Sequence, residues 1–231
     1  MTLKIYADLD QGTDEWFAAR CGILTASTIG ALLTPTCTGI AKNKVSERLV
    51  NEIAAQRINK ICDPNVQAYA FQRGHEDEIE AKILYAQKVA PISEIGFMTD
   101  DHWGFTLGYS PDGLVGEDGL IECKSRLSGF QMDTICSQAV PIEFMPQIQT
   151  GMMVSGRKWL DFISFPAMGG GKMLVKRTYP DAAMRDLLIR AATDFEEKVR
   201  QRIEEYKEAE QNPDLRLIDT VRRADPEEIM L

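Results

Sequence analysis

A chain of 231 residues has room for one large domain or two small ones, and at 44% hydrophobic and 26% charged it has the composition of an ordinary soluble globular protein. No stretch approaches the length of a membrane span, and the five scattered cysteines, with no CxxC among them, argue for a reducing compartment and against a zinc or iron–sulfur site. Two histidines leave little for a histidine-based mechanism, and a net charge of −9 is unfavourable for a nucleic-acid binder unless a local basic groove supplies the affinity.

The N-terminus, Met1 to Ala7, alternates like a strand and soon meets Asp8 and Asp10, unlike a signal peptide. Thr13 is placed to cap a short helix, Asp14 to Arg20, with Trp16 and Phe17 on its buried side. A second short helix is expected over Ser27 to Leu33, then a loop over 34–41. Lys42 to Lys60 has the apolar spacing of an amphipathic helix, and Gln67 to Gln87 reads as another, interrupted by Gly74. Strands follow over Ala90 to Met98 and Gly104 to Tyr109, then a hairpin around Asp118-Gly119. Helices over Phe130 to Ala139 and Glu143 to Val154, strands over Lys158 to Phe165 and Lys172 to Thr178, and a long helix from Asp181 complete the pattern. Helices, mixed strands and helices in that order predict one α/β domain over residues 1–231, a central mixed β-sheet flanked by helices, with a peripheral tail from about 212.

The hairpin carries the chemistry. A three-residue loop of Glu117, Asp118 and Gly119, with Gly119 left-handed in a bulge, pairs Gly116 with Leu120 and Asp112 with Lys124. Alternation then puts Asp112, Glu122 and Lys124 on one face, and Ile121 and Cys123 on the other. Two carboxylates and a lysine on one strand face either pair near solvent or hold a cation. Hard oxygen donors favour magnesium or manganese, and a lysine beside the metal can orient or deprotonate an attacking water.

Three satellites accompany it. Glu78, in Arg73 to Glu80, borders an apolar stripe and is a candidate further carboxylate, whereas Glu76, Asp77 and Glu80 point more outward. Arg20 with Thr25-Ala26-Ser27 at a helix start is a candidate phosphate pocket, although Ser27 could merely cap a helix. Gln147, in a helix with Met145, Met152 and Met153, either orients a water or phosphate or faces solvent.

In order along residues 12–155, the chain shows Trp16-x-x-x-Arg20-x-Gly22-x-x-Thr25-Ala26-Ser27, Gly74-x-x-x-Glu78, Ser110-Pro111-Asp112-Gly113-Leu114, Glu122-x-Lys124 and Gln147-x-Gln149. Together these resemble the phage lambda exonuclease/YqaJ family of viral recombination nucleases, within the PD-(D/E)XK superfamily. The resemblance implies a restriction-endonuclease-like fold. It implies a metal-dependent exonuclease that degrades one strand of linear double-stranded DNA from its 5′ end, giving 3′ single-stranded overhangs for recombination. It implies two magnesium ions per site, replaceable by manganese: one on Asp112, Glu122 and the backbone carbonyl of Cys123, the other shared by Asp112 and Glu78. Lys124 would handle the attacking water and Gln147 orient the group. Arg20, Ser27 and Ser110 match 5′-phosphate-binding positions, and Phe71 stands where the family uses a wedge to split the duplex end. A homotrimeric ring, a single-strand annealing protein as partner, no membrane, and the cytoplasm of a bacterial or phage-infected cell complete the expectation.

There are departures from the pattern. The Met152/Met153 region lacks the tyrosine that follows the glutamine in many related nucleases, and the cluster-binding cysteines of the iron–sulfur branch are missing. An endonuclease of the same superfamily and a DNA-end-binding module without turnover are the alternatives. The first would cut closed circles, and the second has no use for Lys124.

Overall fold

Two four-stranded mixed sheets, with helices on their faces, divide the strands between them in a computed structural model that describes residues 3–62 and 68–220 and, within residues 68–73, the backbone alone. In chain order the elements are β1 (Lys4–Tyr6), α1 (Asp14–Arg20), β2 (Leu24–Thr25), a 3₁₀ turn (Ile29–Leu32), α2 (Lys44–Asn59), α3 (Ala68–Lys88), β3 (Phe97–Asp100), β4 (Leu107–Tyr109), β5 (Gly113–Val115), β6 (Gly119–Arg126), α4 (Ser128–Ser137), a 3₁₀ turn (Ile142–Phe144), α5 (Met145–Ser155), β7 (Trp159–Pro166), β8 (Leu174–Thr178) and α6 (Ala182–Glu210). The first sheet runs β1-β3-β4-β2 and the second β5-β6-β7-β8. The single sheet expected from the strand pattern is therefore divided, and the Ser110-Pro111-Asp112 segment joins its halves between β4 and β5. The parallel β6–β7 pair needs a crossover, and α4 and α5 supply it.

Local signals placed most helix ends. The Thr13 hydroxyl accepts from the Trp16 amide at the start of α1, Asn43 and Ser46 form a reciprocal capping box on α2, and Asp181 caps α6 through the Met184 amide. The helix expected over Ser27 to Leu33 is reduced to the first 3₁₀ turn. Phe17 is not on a buried side. It is exposed and packs edge-on against Trp16 at 4.9 Å, because α1 lies on the surface and buries no residue fully.

The core lies on both faces of the second sheet. Leu120, Leu160 and Phe162 face a large cluster with Leu188 and Phe195 of α6 and Ile148 of α5, while Ile121, Cys123 and Ile163 face a smaller one with Ala81 and Tyr85 of α3. A bidentate Arg57–Glu196 pair ties α2 to α6, and Arg57 Nε also donates to the Gly22 carbonyl, which anchors the loop after Arg20. Behind the sheet, buried Asp161 accepts from Tyr85 and from both arms of Arg177, so its charge is fully partnered. From 212 to 220 the described chain is exposed and irregular.

The hairpin register differs from the one expected. Val115 pairs with Gly119 and Gly113 with Ile121, so the loop is Gly116, Glu117 and Asp118, and Gly116, not Gly119, is left-handed at φ +53°. Gly116 supplies the left-handed turn position, which leaves Gly119 to open β6 beside Trp159 of β7. Its ring fills the place of a side chain at Gly119, where a Cβ would come within 2.2 Å of it. Gly119→Val is accordingly expected to cost about 1–3 kcal/mol through overpacking, read as a lowered chemical-denaturation midpoint with an unchanged slope.

Candidate active site

The slip is by two residues, so the faces are conserved: Leu120, Glu122, Lys124 and Arg126 share one side of β6, and Ile121 and Cys123 the other. On the first side Glu122 is buried, with its side chain 1% exposed. Its Oε1 accepts from Lys124 Nζ at 2.7 Å and from Gln147 Nε2, and its Oε2 accepts from the Tyr109 hydroxyl at 3.4 Å. Asp112 lies just before β5 and its Oδ2 accepts from the Cys123 amide at 2.6 Å. The backbone of Cys123 therefore reaches the Asp112 carboxylate while its thiol faces the smaller core cluster. Gly151 of α5 lets the helix press on the Tyr109 ring, where a Cβ would meet ring carbons at 2.7 Å, and this brings Gln147 down to Glu122.

The electrostatics are those of crowded carboxylates. Burial, then the negative charges of Glu122 and Glu78, push the Asp112 carboxyl well above the usual carboxylate range. Burial, then Glu122 and Asp112, also raise the Tyr109 hydroxyl. Burial works to lower Lys124, but Glu122 and Asp112 together outweigh it and hold the ammonium form. Glu78 is turned to Lys82, 2.7 Å away, and Lys82 also reaches Glu94 at 3.0 Å. As the side chains stand, no three His, Cys, Asp or Glu among the described residues converge as a ready cage. The donor set nevertheless fits a hard divalent cation. Asp112, Glu122 and Glu78 are oxygen donors whose mutual repulsion a dication relieves, and the pull of Lys82 on Glu78 is the interaction such an ion has to replace.

Next to this cluster Arg20 makes a second one. Its guanidinium donates to Ser110 Oγ at 2.9 Å, Ser27 Oγ at 3.2 Å and Thr25 Oγ1 at 3.4 Å, and lies over the Trp16 ring at 4.1 Å. Trp16 Nε1 donates to the same Ser110 hydroxyl at 3.0 Å. Burial lowers the Arg20 pKa to about 10, so the group stays charged at neutral pH. No carboxylate pairs with it among the described residues. A partly buried cation met by hydroxyls and an aromatic ring, with no paired carboxylate among the described residues, has charge and donors that suit an anion.

The structure thus brings Asp112, Glu122, Lys124 and Gln147 into one cluster and Arg20, Ser27 and Ser110 into another. Glu78 faces the first cluster through its charge but is held on Lys82. Phe71 falls within α3, but its side chain lies outside the described residues.

The YqaJ-like viral recombinase domain matches residues 15–158, well over half of the chain and every residue of both clusters. The chain belongs to this family. An alkaline exonuclease from Laribacter hongkongensis is 30% identical, with a TM-score of 0.74, over 85% of this chain and 97% of that one. The same enzyme in complex with dAMP gives 0.75 at the same identity and coverage. A phage-related exonuclease from Haemophilus somnus, 14% identical over 80% of this chain and 96% of that one, shares the fold at a TM-score of 0.60. No curated protein is significantly similar. The fold is that of the PD-(D/E)XK type, with mixed strands and flanking helices. Among the described residues no helix is long and apolar enough to cross a membrane.

Several site residues of this YqaJ-like chain were not legible beforehand. Asp77, expected to point outward, is buried and accepts from the Ser125 hydroxyl and the Met168 amide. The loop after β7 folds over this turn of α3, which no helical periodicity announces. Tyr109 and Lys82 were also missed. Tyr109 directly precedes the Ser110-Pro111-Asp112 motif, and Lys82 lies one helical turn beyond Glu78, the spacing of an ion pair.

Proposed function

We propose that the protein is a metal-dependent DNA exonuclease of recombination, which degrades one strand of linear duplex DNA from 5′-phosphorylated ends in the 5′→3′ direction and leaves 3′ single-stranded overhangs. The observation that carries this reading is the short link between the clusters. Ser110 belongs to the Arg20 anion seat and Asp112 to the carboxylate–lysine cluster, and two residues span at most about 7 Å. A terminal phosphate held at Arg20, Ser27 and Ser110 sets the first phosphodiester of that strand beside Asp112, Glu122 and Lys124. Cleavage on the 3′-oxygen side leaves a phosphate on the new 5′ end, so the shortened strand fits the same seat.

Asp112, Glu122 and the Cys123 carbonyl would hold one magnesium, and Asp112 with Glu78 would hold a second, with manganese as a substitute. When bound, the ions supply an activated water and charge stabilisation at the phosphoryl oxygens. Lys124 Nζ, held as an ammonium beside Glu122, would orient that water by donating to it, and would take its proton only after losing its own to solvent, which a bound cation would favour by offsetting the carboxylates. Gln147 and Tyr109 fix the Glu122 carboxylate. Phe71 is assigned the duplex-end wedge on family grounds, and an aromatic ring there can stack on an unpaired base. Family membership likewise supports a homotrimeric ring, a single-strand annealing partner and a place in the cytoplasm of a bacterial or phage-infected cell. Sedimentation of the purified protein tests the ring directly.

The activity is tested with a linear duplex labelled on each strand and phosphorylated at one 5′ end, incubated with magnesium beside a closed circle. Loss of the phosphorylated strand alone, with the circle intact, is the expected result. A cut circle would make the protein an endonuclease, and DNA bound without cleavage in magnesium or manganese would make it an end-binding module. Arg20→Ala is expected to remove about tenfold or more of the preference for phosphorylated over hydroxyl ends, consistent with the loss of charge-assisted contacts of roughly 1.5–3 kcal/mol. Equal wild-type rates on the two ends would refute the phosphate seat.

A further inference from the structure

The active-site side of β6 does not stop at Lys124. Arg126 is the next residue on that side, and its side chain is 12% exposed. Each residue on this side meets the segment before or within α5: Glu122 bonds Gln147, Lys124 Nζ lies 5.7 Å from the Phe144 ring centre, and the Arg126 guanidinium lies 5.1 Å from the rings of both Phe144 and Phe130. The Arg126 Nε is buried and has no hydrogen-bond partner among the described residues. The only carboxylate paired with the guanidinium among the described residues is Glu143, 3.3 Å from Nη1, and that side chain is 54% exposed. An exposed pair of this kind contributes little, and an unsatisfied buried donor on a cation is costly. Two rings, one of them the exposed Phe130, lie within cation–π reach of the guanidinium without consuming its donors. The group is thus oriented but under-used.

We propose that Arg126 is a phosphate-binding residue for the DNA strand being degraded, contacting the phosphate next to the scissile one, and that Glu143 occupies its donors when DNA is absent. This rests on the nuclease reading above. Alternate residues on a strand lie about 6.6 Å apart, a reach comparable to the step from one phosphate to the next in an extended single strand. A strand whose scissile phosphate lies at Lys124 therefore brings its neighbour to Arg126. A phosphate displaces Glu143 readily, because it is bidentate toward a guanidinium and the pair it replaces is weak.

The test is binding of a labelled duplex with a 5′-phosphorylated end, measured by anisotropy in chelator over a salt series. Arg126→Gln is expected to weaken binding at least threefold and to lower the slope of log affinity against log salt by about 0.7–0.9, the signature of one lost phosphate contact. Arg126→Lys is expected to restore the slope, and Glu143→Gln to tighten binding about threefold in a protein whose packing is undisturbed. A duplex with a neutral methylphosphonate next to the terminal scissile position is expected to bind wild type and Arg126→Gln equally. An unchanged slope for Arg126→Gln, no tightening by Glu143→Gln, or an undiminished loss on the methylphosphonate duplex would each overturn the assignment. These outcomes differ from a failure of the nuclease reading, in which wild type itself degrades no strand of a linear duplex in magnesium or manganese.

Discussion

Lys124→Ala is expected to lower strand cleavage by about 10²–10⁴-fold, the range associated with a positioned proton-transfer group, while DNA binding changes by less than about threefold. The asymmetry follows from where the lysine points. Lys124 Nζ is 2.7 Å from Glu122 Oε1, inside the cluster, whereas the anion seat is built from Arg20, Ser27 and Ser110 and does not use it. Removing the ammonium leaves Glu122 buried with Gln147 and Tyr109 as its remaining partners, so the variant is also expected to be less stable without metal. Single-turnover cleavage in magnesium, paired with anisotropy in chelator, separates the two effects. Cleavage within tenfold of wild type would remove Lys124 from the chemistry and leave it as a counter-ion for Glu122.

The second large effect is on stability, and it runs opposite to activity. Asp112→Asn is expected to abolish cleavage and raise the melting temperature of the metal-free protein at pH 8 by about 2–4 °C or more, the shift that roughly 1 kcal/mol produces in a chain of this size. The Asp112 carboxyl is pushed up by burial, then by Glu122 and Glu78. A carboxyl whose folded pKa is raised favours the folded state below its ordinary value of 3.8 and loses that contribution as the pH rises through the raised value. At pH 8 the wild-type protein bears the cost of a carboxyl whose charged form the crowded site disfavours, and the asparagine does not. The amide oxygen can still accept from the Cys123 amide. The difference in melting temperature should shrink as the pH approaches 3.8, and magnesium should stabilise wild type while leaving Asp112→Asn unmoved. A variant less stable than wild type at pH 8 without metal would show that Asp112 is not under the repulsion described.

How much of this was legible in the sequence depends on the range of the interaction. Helix starts at Thr13 and Asp181 are set by residues three positions apart, and they appeared where the caps announced them. The shared face of Glu122 and Lys124, which Asp112 just before β5 joins through the Cys123 amide, also follows from a local rule. Strand alternation has a period of two, so even a register displaced by two residues leaves the same side chains together. The displacement itself was not legible. Gly116 and Gly119 can each take the left-handed turn position, and only the assembled sheet has Gly116 take it while Gly119 lies in β6 against Trp159, forty residues away.

The same division runs through the site. Trp16, Arg20, Thr25 and Ser27 lie within one short stretch, and their residue types alone suggest an anion seat. That Ser110 completes it, and that Glu122 is clasped by Gln147 and Tyr109, required strands and helices far apart in the chain to meet. Asp77 and Glu78 are adjacent acids on one helix, indistinguishable by composition. The loop after β7 buries the first against the Met168 amide, and Lys82 claims the second. By itself, then, the sequence determined the chemical types in the site, their order and the strand face they share, because caps and alternation act between near neighbours. Which carboxylate is buried, which is paired, and how close the anion seat lies to the carboxylates were decided only by tertiary packing, because burial and charge pairing depend on whatever atoms the rest of the chain brings alongside.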